Sequence, residues 1–180
     1  EEGYLRKSIV ADPLEKRMNT KTNTPAVIHT EIVPGDKFKV LVMAKGSGCE
    51  NMSSFKALPP AAGVEGVKKF VLDTVLNAGG NPCPPLILGI GLGGDFEKCA
   101  LLAKKALFRE LRHRHPNPYY ANLERELLEL VNKSGVGPMG LGGRITCLDV
   151  FIETFPCHIA SLPVAVNVEC HAHRTRSVEL

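Results

Sequence analysis

The order of apolar and polar positions along the chain predicts strands that alternate with helices. Two β-rich runs, Ala26–Val33 and Lys37–Ala44, flank the turn residues Pro34-Gly35-Asp36 and together predict a β-hairpin. Short apolar runs bounded by turn residues predict three further strands, at Leu86–Ile90, Ile145–Glu153 and Leu162–Glu169.

Helical periodicity appears in three other segments. Apolar residues recur at helical spacing and predict helices over Gly63–Ala78, Phe96–Leu111 and Tyr119–Asn132. Asp95 can cap the second of these helices, whose basic end suits the negative pole of the helix dipole. Strands interleaved with about three main helices predict a mixed α/β fold, in a single domain over residues 1–180, with a mixed sheet because the hairpin is antiparallel.

Composition narrows the class of protein. The chain has 180 residues, 44% hydrophobic and 23% charged, as expected of a globular domain with a core. A formal net charge of +3 does not indicate nucleic acid as a partner, and no window approaches the roughly 18 apolar residues of a membrane helix. The six irregularly spaced cysteines favour a reducing compartment, and we expect the cytoplasm.

A glycine pattern, G-x-G-x-x-G, spans Gly89–Gly94 between an apolar run and a helical one. A dinucleotide site would also need an acidic residue about 20 positions later, at the end of a second strand. That distance reaches the polar segment His113–Tyr119, which no predicted strand precedes. A dinucleotide loop is therefore disfavoured, and Gly93 and Gly94 are expected to let the helix pack close to its strand.

Two cysteines stand where a ligand could be presented. Cys83 lies between prolines in NPCPP, and a stiff loop suits a metal ligand, although a buried small residue is the alternative. Cys170 ends an apolar strand and is followed by histidines and arginines, but no C-x-x-C supports a structural zinc site. A cysteine among cations could hold an anionic cluster or be an activated thiolate. Cys99 and Cys147 are interpreted as packing residues.

Two further features leave alternatives open. His158 lies between Cys157 and apolar residues, and it is either a core histidine or a group that handles a proton near a site. The segment Lys45-Gly46-Ser47-Gly48 ends a predicted strand with flexible backbone. It is either a plain turn or a loop whose N–H groups face an anion.

Several longer motifs, taken together and in order, resemble the iron–sulfur-dependent fumarate hydratases and the related L-tartrate dehydratases. The resemblance is to the α subunit, or to the N-terminal half of fused forms. It rests on GYLRKS, NTPAVIH, EIVPGDK, KGSGCENMS, GVEGVKKFV, NPCPP, GIGLGGDFEKCALLAKKAL, GPMGLGG, ETFPCHIASLPVAVNVECHA and the terminal VEL. It is specific for the family and does not separate the two substrates.

The resemblance implies a hydro-lyase that holds a [4Fe–4S] cluster through three cysteines. Two of them are Cys83 and Cys170, and the third is expected upstream of Glu1. Cys49 stands where relatives usually have serine, and we do not favour it as a substitute ligand. The resemblance also gives Arg6 as a clamp for a substrate carboxylate, with Gly46 and Gly48 as loop positions near the substrate.

His158 is implied as the catalytic residue that contacts the substrate hydroxyl. The substrate would be a small 2-hydroxy dicarboxylate, either malate or tartrate. The partner would be a β subunit or a C-terminal domain, within a dimer of αβ units, and neither nucleic acid nor membrane is expected. This chain alone would be inactive. The alternatives are a non-catalytic binding or assembly module, and a dinucleotide-dependent oxidoreductase that rests on the glycine pattern alone.

Overall fold

The computed structural model describes residues 5–180, and the chain divides into two units, residues 1–37 and 38–180. In residues 5–37 the regular structure is a single antiparallel bridge between Val10 and Asn19. The Asp12 side chain accepts a hydrogen bond from Leu14 N at 2.9 Å, which forms a local turn inside that bridge. The predicted single domain over residues 1–180 stays a prediction.

The predicted hairpin was wrong. Residues 26–33 contain no strand and are exposed, although Val27 and Ile28 are apolar. The second predicted strand exists as β1, Lys39–Met43, but it pairs antiparallel with β6, Thr175–Glu179, at the far end of the chain. Turn chemistry and alternation are local signals, and the pairing partner of a strand is decided by contacts distant in sequence.

The second unit is a mixed α/β fold, as predicted. After β1 come α1 (Ser47–Glu50), β2 (Ser54–Leu58), α2 (Gly63–Ala78), β3 (Leu86–Gly94), α3 (Phe96–Ala106), α4 (Pro118–Asn132), β4 (Cys147–Cys157), β5 (Leu162–Glu169) and β6. Two strands, β1 and β6, form a small sheet, and the other four form a sheet in the order β2-β5-β3-β4. In that sheet β3 is parallel to β4 and antiparallel to β5, so the sheet is mixed.

Both faces of the central strand β3 are buried. Alternate side chains of a strand point to opposite faces. Leu86, Leu88 and Ile90 share a core with the apolar stripes of α2 and α4, while Ile87 packs with Ala106 and Leu107 at the end of α3. The four-stranded sheet therefore lies between α3 on one face and the α2–α4 pair on the other, which explains why β3 reads as a continuous apolar run.

Most helix predictions agree with the structure, and one is too long. The Asp95 side chain accepts a hydrogen bond from Lys98 N at 2.9 Å, so it caps α3 as predicted. That helix ends at Ala106 and not at Leu111, because the basic segment that follows turns back to buried acids. Arg109 Nη1 donates to Glu124 at 2.8 Å, and Arg112 N donates to Asp149 at 2.6 Å. Within residues 5–180 no helix has both the length and the apolar content that crossing a membrane requires.

Candidate metal centre

One edge of the four-stranded sheet brings both predicted cysteine ligands together. Ile87 pairs with Glu169, so the edge where β3 begins is the edge where β5 ends. Cys83 lies just before β3 and Cys170 just after β5. His171 Nδ1 is 3.0 Å from the Cys83 carbonyl oxygen. Because His171 directly follows Cys170, this contact keeps the Cα atoms of Cys83 and Cys170 within about 13 Å of each other.

A loop held at both ends carries Cys83. The Cys83 backbone has φ +57°, and the Cys83 N–H donates to the Gly80 carbonyl at 3.1 Å. The turn at residues 138–140 rests directly on this loop, because Met139 N donates to the Pro84 carbonyl at 2.9 Å. A Cβ on Gly80 would lie 2.7 Å from Met139 O, so only glycine permits this approach. The turn at residues 138–140 thus fixes the loop that presents the Cys83 thiol.

A compact group of ligand atoms lies at the same edge. The side-chain ligand atoms of Cys49, Glu169 and Cys170 all lie within 4.8 Å of one another. Both thiols are 3.7 Å from Glu169 Oε1 and donate weak hydrogen bonds to it. Glu169 is 1% exposed, and within residues 5–180 its Oε2 has no hydrogen-bond partner. A buried carboxylate oxygen without a donor is costly, and a bound cation would satisfy it.

Lysine side chains balance the acidic charge of this group. Lys45 Nζ donates to the Val168 carbonyl at 2.6 Å and lies 2.8 Å from Glu50, 3.7 Å from Glu169 Oε2 and 3.5 Å from Cys49 Sγ. Lys104 lies 2.6 Å from the other Glu50 oxygen. Burial acts to raise the pKa of Glu50, but hydrogen bonds from Lys104 and Lys45 outweigh it and hold that pKa below its ordinary value. Burial raises the pKa of the Cys170 thiol.

The predicted glycine loop also lies at this edge. Gly46 and Gly48 flank Ser47 at the start of α1, and all three are exposed. A Cβ built on Gly48 would meet Asn81 O at 3.9 Å, and one on Gly46 would meet Cys49 Sγ at 3.9 Å. The loop therefore lies between the Cys83 segment and the Cys49 thiol, with its backbone open to solvent.

His158 is not brought to the cysteines within one chain. It follows β4 at the end of the sheet where β5 begins, and Cys170 follows the other end of β5. The eight residues of β5 span about 23 Å, so the sheet separates the two. His158 is exposed and its Nδ1 accepts a hydrogen bond from Ala160 N at 3.1 Å, so it is no core histidine.

Arg6 belongs to the first unit. It is exposed, and its carbonyl oxygen accepts a hydrogen bond from Asn23 Nδ2 at 3.1 Å. That bond, together with a second from Asn19 Nδ2 to the Lys7 carbonyl at 2.8 Å, ties the segment to the bridge at residues 10 and 19.

Charged residues of the centre were missed by the sequence reasoning. Lys45, Glu50 and Glu169 supply the charges of the centre. Within their motifs, only glycines and cysteines were predicted as site residues. One signal could have found Glu169. It is a carboxylate at the end of a mostly apolar strand, LPVAVNVE, directly before a cysteine. A charge in a buried strand indicates a paired or ligating group.

The glycines of G-x-G-x-x-G have a packing role in this structure. A Cβ on Gly89 would lie 2.0 Å from Ala103 O, and one on Gly91 would lie 2.0 Å from Cys99 O. Helix α3 therefore rests on the bare backbone of β3. Cys99 and Cys147 are buried as predicted, and each thiol donates to a carbonyl oxygen, of Gly91 and Asp149 respectively.

Comparison with known proteins identifies the family. The family model described as fumarate hydratase (fumerase) matches residues 1–179. A putative L(+)-tartrate dehydratase subunit alpha from Methanocaldococcus jannaschii is 48% identical over 178 residues, which cover 97% of this chain and 62% of that protein. The L(+)-tartrate dehydratase subunit alpha of Escherichia coli K12 is 37% identical over 165 residues, which cover 92% of this chain and 54% of that protein.

These figures show that the chain spans between about half and two thirds of the length of the curated relatives that it matches. The match nevertheless runs through every element of the fold and through the Cys83, Cys170 and glycine-loop motifs at the sheet edge. The chain belongs to the fumarate hydratase (fumerase) family.

Proposed function

We propose that this chain is part of a hydro-lyase that reversibly dehydrates a small 2-hydroxy dicarboxylate, converting malate to fumarate or tartrate to oxaloacetate. The observation that carries the proposal is the meeting of Cys83, Cys170 and the Gly46–Gly48 loop at one sheet edge. Family membership and relatives named as tartrate dehydratase α subunits support it.

The residues at this edge fit an iron–sulfur cluster. Thiolates are the ligands of [4Fe–4S] clusters, and Cys83 and Cys170 would supply two of them. The Lys45 ammonium, 10% exposed beside these residues, would favour the negative charge of a thiolate-bound cluster. When bound, such a cluster supplies a Lewis acid for the leaving hydroxyl.

Substrate binding would use exposed backbone groups and one exposed arginine side chain of this chain. The exposed backbone at Gly46 and Gly48 would let a carboxylate approach N–H groups closely. Arg6 would clamp the second carboxylate, because a guanidinium presents two parallel donors that match the two oxygens.

The position of His158 gives the proposed assembly a specific requirement. Its ring would position or protonate the leaving hydroxyl, yet it lies at the edge of the sheet opposite the cysteines of its own chain. In a dimer of αβ units, His158 of one copy would serve the site of the other. The base at the neighbouring carbon would come from the β subunit or C-terminal domain. Six irregularly spaced cysteines in 180 residues favour a reducing compartment, for which we propose the cytoplasm.

The test uses the complete enzyme with its β partner, reconstituted anaerobically with iron and sulfide. Wild type should gain a broad absorbance near roughly 400 nm, with dehydration of malate or tartrate. Cys83→Ser and Cys170→Ser should each lose both signals. Cys157→Ser changes an exposed thiol at the opposite edge and should keep both. Full cluster absorbance in either ligand variant would remove that residue from the proposed set.

A further inference from the structure

We propose that Cys49, Glu169 and Cys170 form a second metal-binding set, which takes a thiophilic divalent cation such as Zn²⁺ and competes with cluster assembly for Cys170. The competition rests on the proposed function, because it assumes that Cys170 is a cluster ligand. The binding of the cation rests only on the three side chains and their surroundings.

The geometry of the three ligand atoms is close to that of a tetrahedral metal site. Zn²⁺ binds sulfur at about 2.3 Å and carboxylate oxygen at about 2.0–2.2 Å, so neighbouring sulfurs in a tetrahedron lie roughly 3.8 Å apart. The ligand atoms here lie within 4.8 Å of one another. A contraction of about 1 Å, available from small side-chain rotations, would close the site around the ion. Water would complete the fourth position.

Glu169 provides an independent sign that a ligand belongs here. Its side chain is 1% exposed, and Oε2 lies buried without a hydrogen bond, 3.7 Å from the Lys45 ammonium. Its other oxygen accepts only the two weak thiol hydrogen bonds. A cation bound to the carboxylate and the two sulfurs would replace these poor partners with three metal–ligand bonds.

Charge balance selects a divalent ion. With both thiols deprotonated, the group formed by Cys49, Cys170, Glu169 and Glu50 carries four negative charges. Lys45 and Lys104 contribute two positive charges through their contacts with Glu50 and Glu169. One divalent cation makes this group neutral, and the two thiol protons pass to solvent. Mixed thiolate and carboxylate ligands suit Zn²⁺ better than Mg²⁺ or Ca²⁺.

Competition follows from the shared sulfur. The cluster would use Cys83 and Cys170, whereas the cation would use Cys49 and Cys170 with Glu169 between them. One thiolate cannot serve both at full strength. Excess Zn²⁺ would therefore hold the chain in a state that does not accept the cluster, and Cys49 would determine how strongly it does so.

The binding test measures Zn²⁺ affinity of the purified, reduced, metal-free chain against a chromophoric chelator, with Co²⁺ as a second probe through its thiolate charge-transfer absorption. Wild type should bind one equivalent of Zn²⁺. Cys49→Ser, Cys49→Ala, Cys170→Ser and Glu169→Gln should each lower the affinity at least about tenfold. Cys157→Ser should match wild type. Equal affinity in wild type and both folded Cys49 variants, checked by melting temperature, overturns the inference.

A second arm separates this inference from the proposed function. The complete enzyme is reconstituted with iron and sulfide, with and without Zn²⁺. Zn²⁺ should reduce cluster absorbance in wild type and much less in Cys49→Ser. Zn²⁺ binding without any cluster in either protein would contradict the proposed function and leave the cation site standing. Cluster assembly that Zn²⁺ does not affect would overturn the competition alone.

Discussion

At the scale of single residues, a buried charge on α4 holds the segment that follows α3 against the sheet. Glu124 on α4 is fully buried, and one of its oxygens accepts from Arg109 at 2.8 Å and from Ile152 N at 2.9 Å. Its other oxygen accepts from His115 N at 3.0 Å. The periodicity of α4 predicted a helix, but it could not predict this residue, because Glu124 lies on the apolar face and is satisfied by groups distant in sequence.

Removing this carboxylate should destabilise the fold strongly. Glu124→Ala removes the buried carboxylate partner of Arg109 and leaves two backbone N–H groups unpaired, with an expected loss of about 3–5 kcal/mol in the free energy of unfolding. Glu126 on the same helix is 58% exposed, and Glu126→Ala should cost less than about 1 kcal/mol. Urea unfolding followed by circular dichroism compares the two. A loss below about 1 kcal/mol for Glu124→Ala would contradict its role.

The thiols should differ widely in reactivity. Burial raises the pKa of Cys99 to about 12, so at pH 8 only about one molecule in ten thousand carries the reactive thiolate. Cys147 is also buried, with its pKa raised for the same reason, whereas Cys157 is exposed. Brief alkylation of the native protein, read by peptide mass spectrometry, should label Cys157 first and leave Cys99 and Cys147 unlabelled. Comparable labelling of Cys99 would show that its helix opens readily.

At the scale of elements, local periodicity correctly predicted the elements whose structure depends mainly on their own sequence. The helix Gly63–Ala78 and the strand Leu162–Glu169 have the predicted bounds, and α4 begins one residue earlier than predicted. Predictions failed where distant pairing decides. Residues 26–33, predicted as a strand, form none, and β6, which pairs with β1, was not predicted because its sequence is polar and short.

The close contact between α3 and β3 depends on glycines of β3, which have no side chain. A methyl group at Gly91 would lie 2.0 Å from Cys99 O and 2.8 Å from Ala103 N, both backbone atoms, so the helix would have to move away. Gly91→Ala should lower the free energy of unfolding by about 1–3 kcal/mol. Gly48→Ala meets only Asn81 O at 3.9 Å and should change stability by less than about 0.5 kcal/mol. Urea midpoints measure both, and equal midpoints would exclude close packing as the reason for the pattern.

At the scale of the whole molecule, the site was only partly predictable. The resemblance pointed to Cys83, Cys170, Gly46 and Gly48. The antiparallel pairing of β3 with β5 puts the two cysteine segments at one edge, and the glycine loop lies beside them. The same topology carries His158 to the opposite edge, which no sequence motif could indicate, because ETFPCHIASLPVAVNVECHA is continuous in sequence. Strand β5 lies inside this motif, so the two ends of the motif are separated by the length of the strand.

In the proposed dimer of αβ units, that separation predicts complementation between copies. His158→Asn and Cys83→Ser subunits, each inactive alone, should form mixed dimers in which one site carries both defects and the other carries neither. Random pairing at equal amounts should restore about one quarter of wild-type activity, since half of the dimers are mixed and each has one intact site of two. Co-expressed subunits with different affinity tags allow the mixed dimer to be purified and assayed. Cys83→Ser with Cys170→Ser is the matched control, because both thiols lie at the same edge of one chain and every mixed dimer keeps a defect in each site. Activity in the control, or none in the first pair, would show that His158 does not act across two copies.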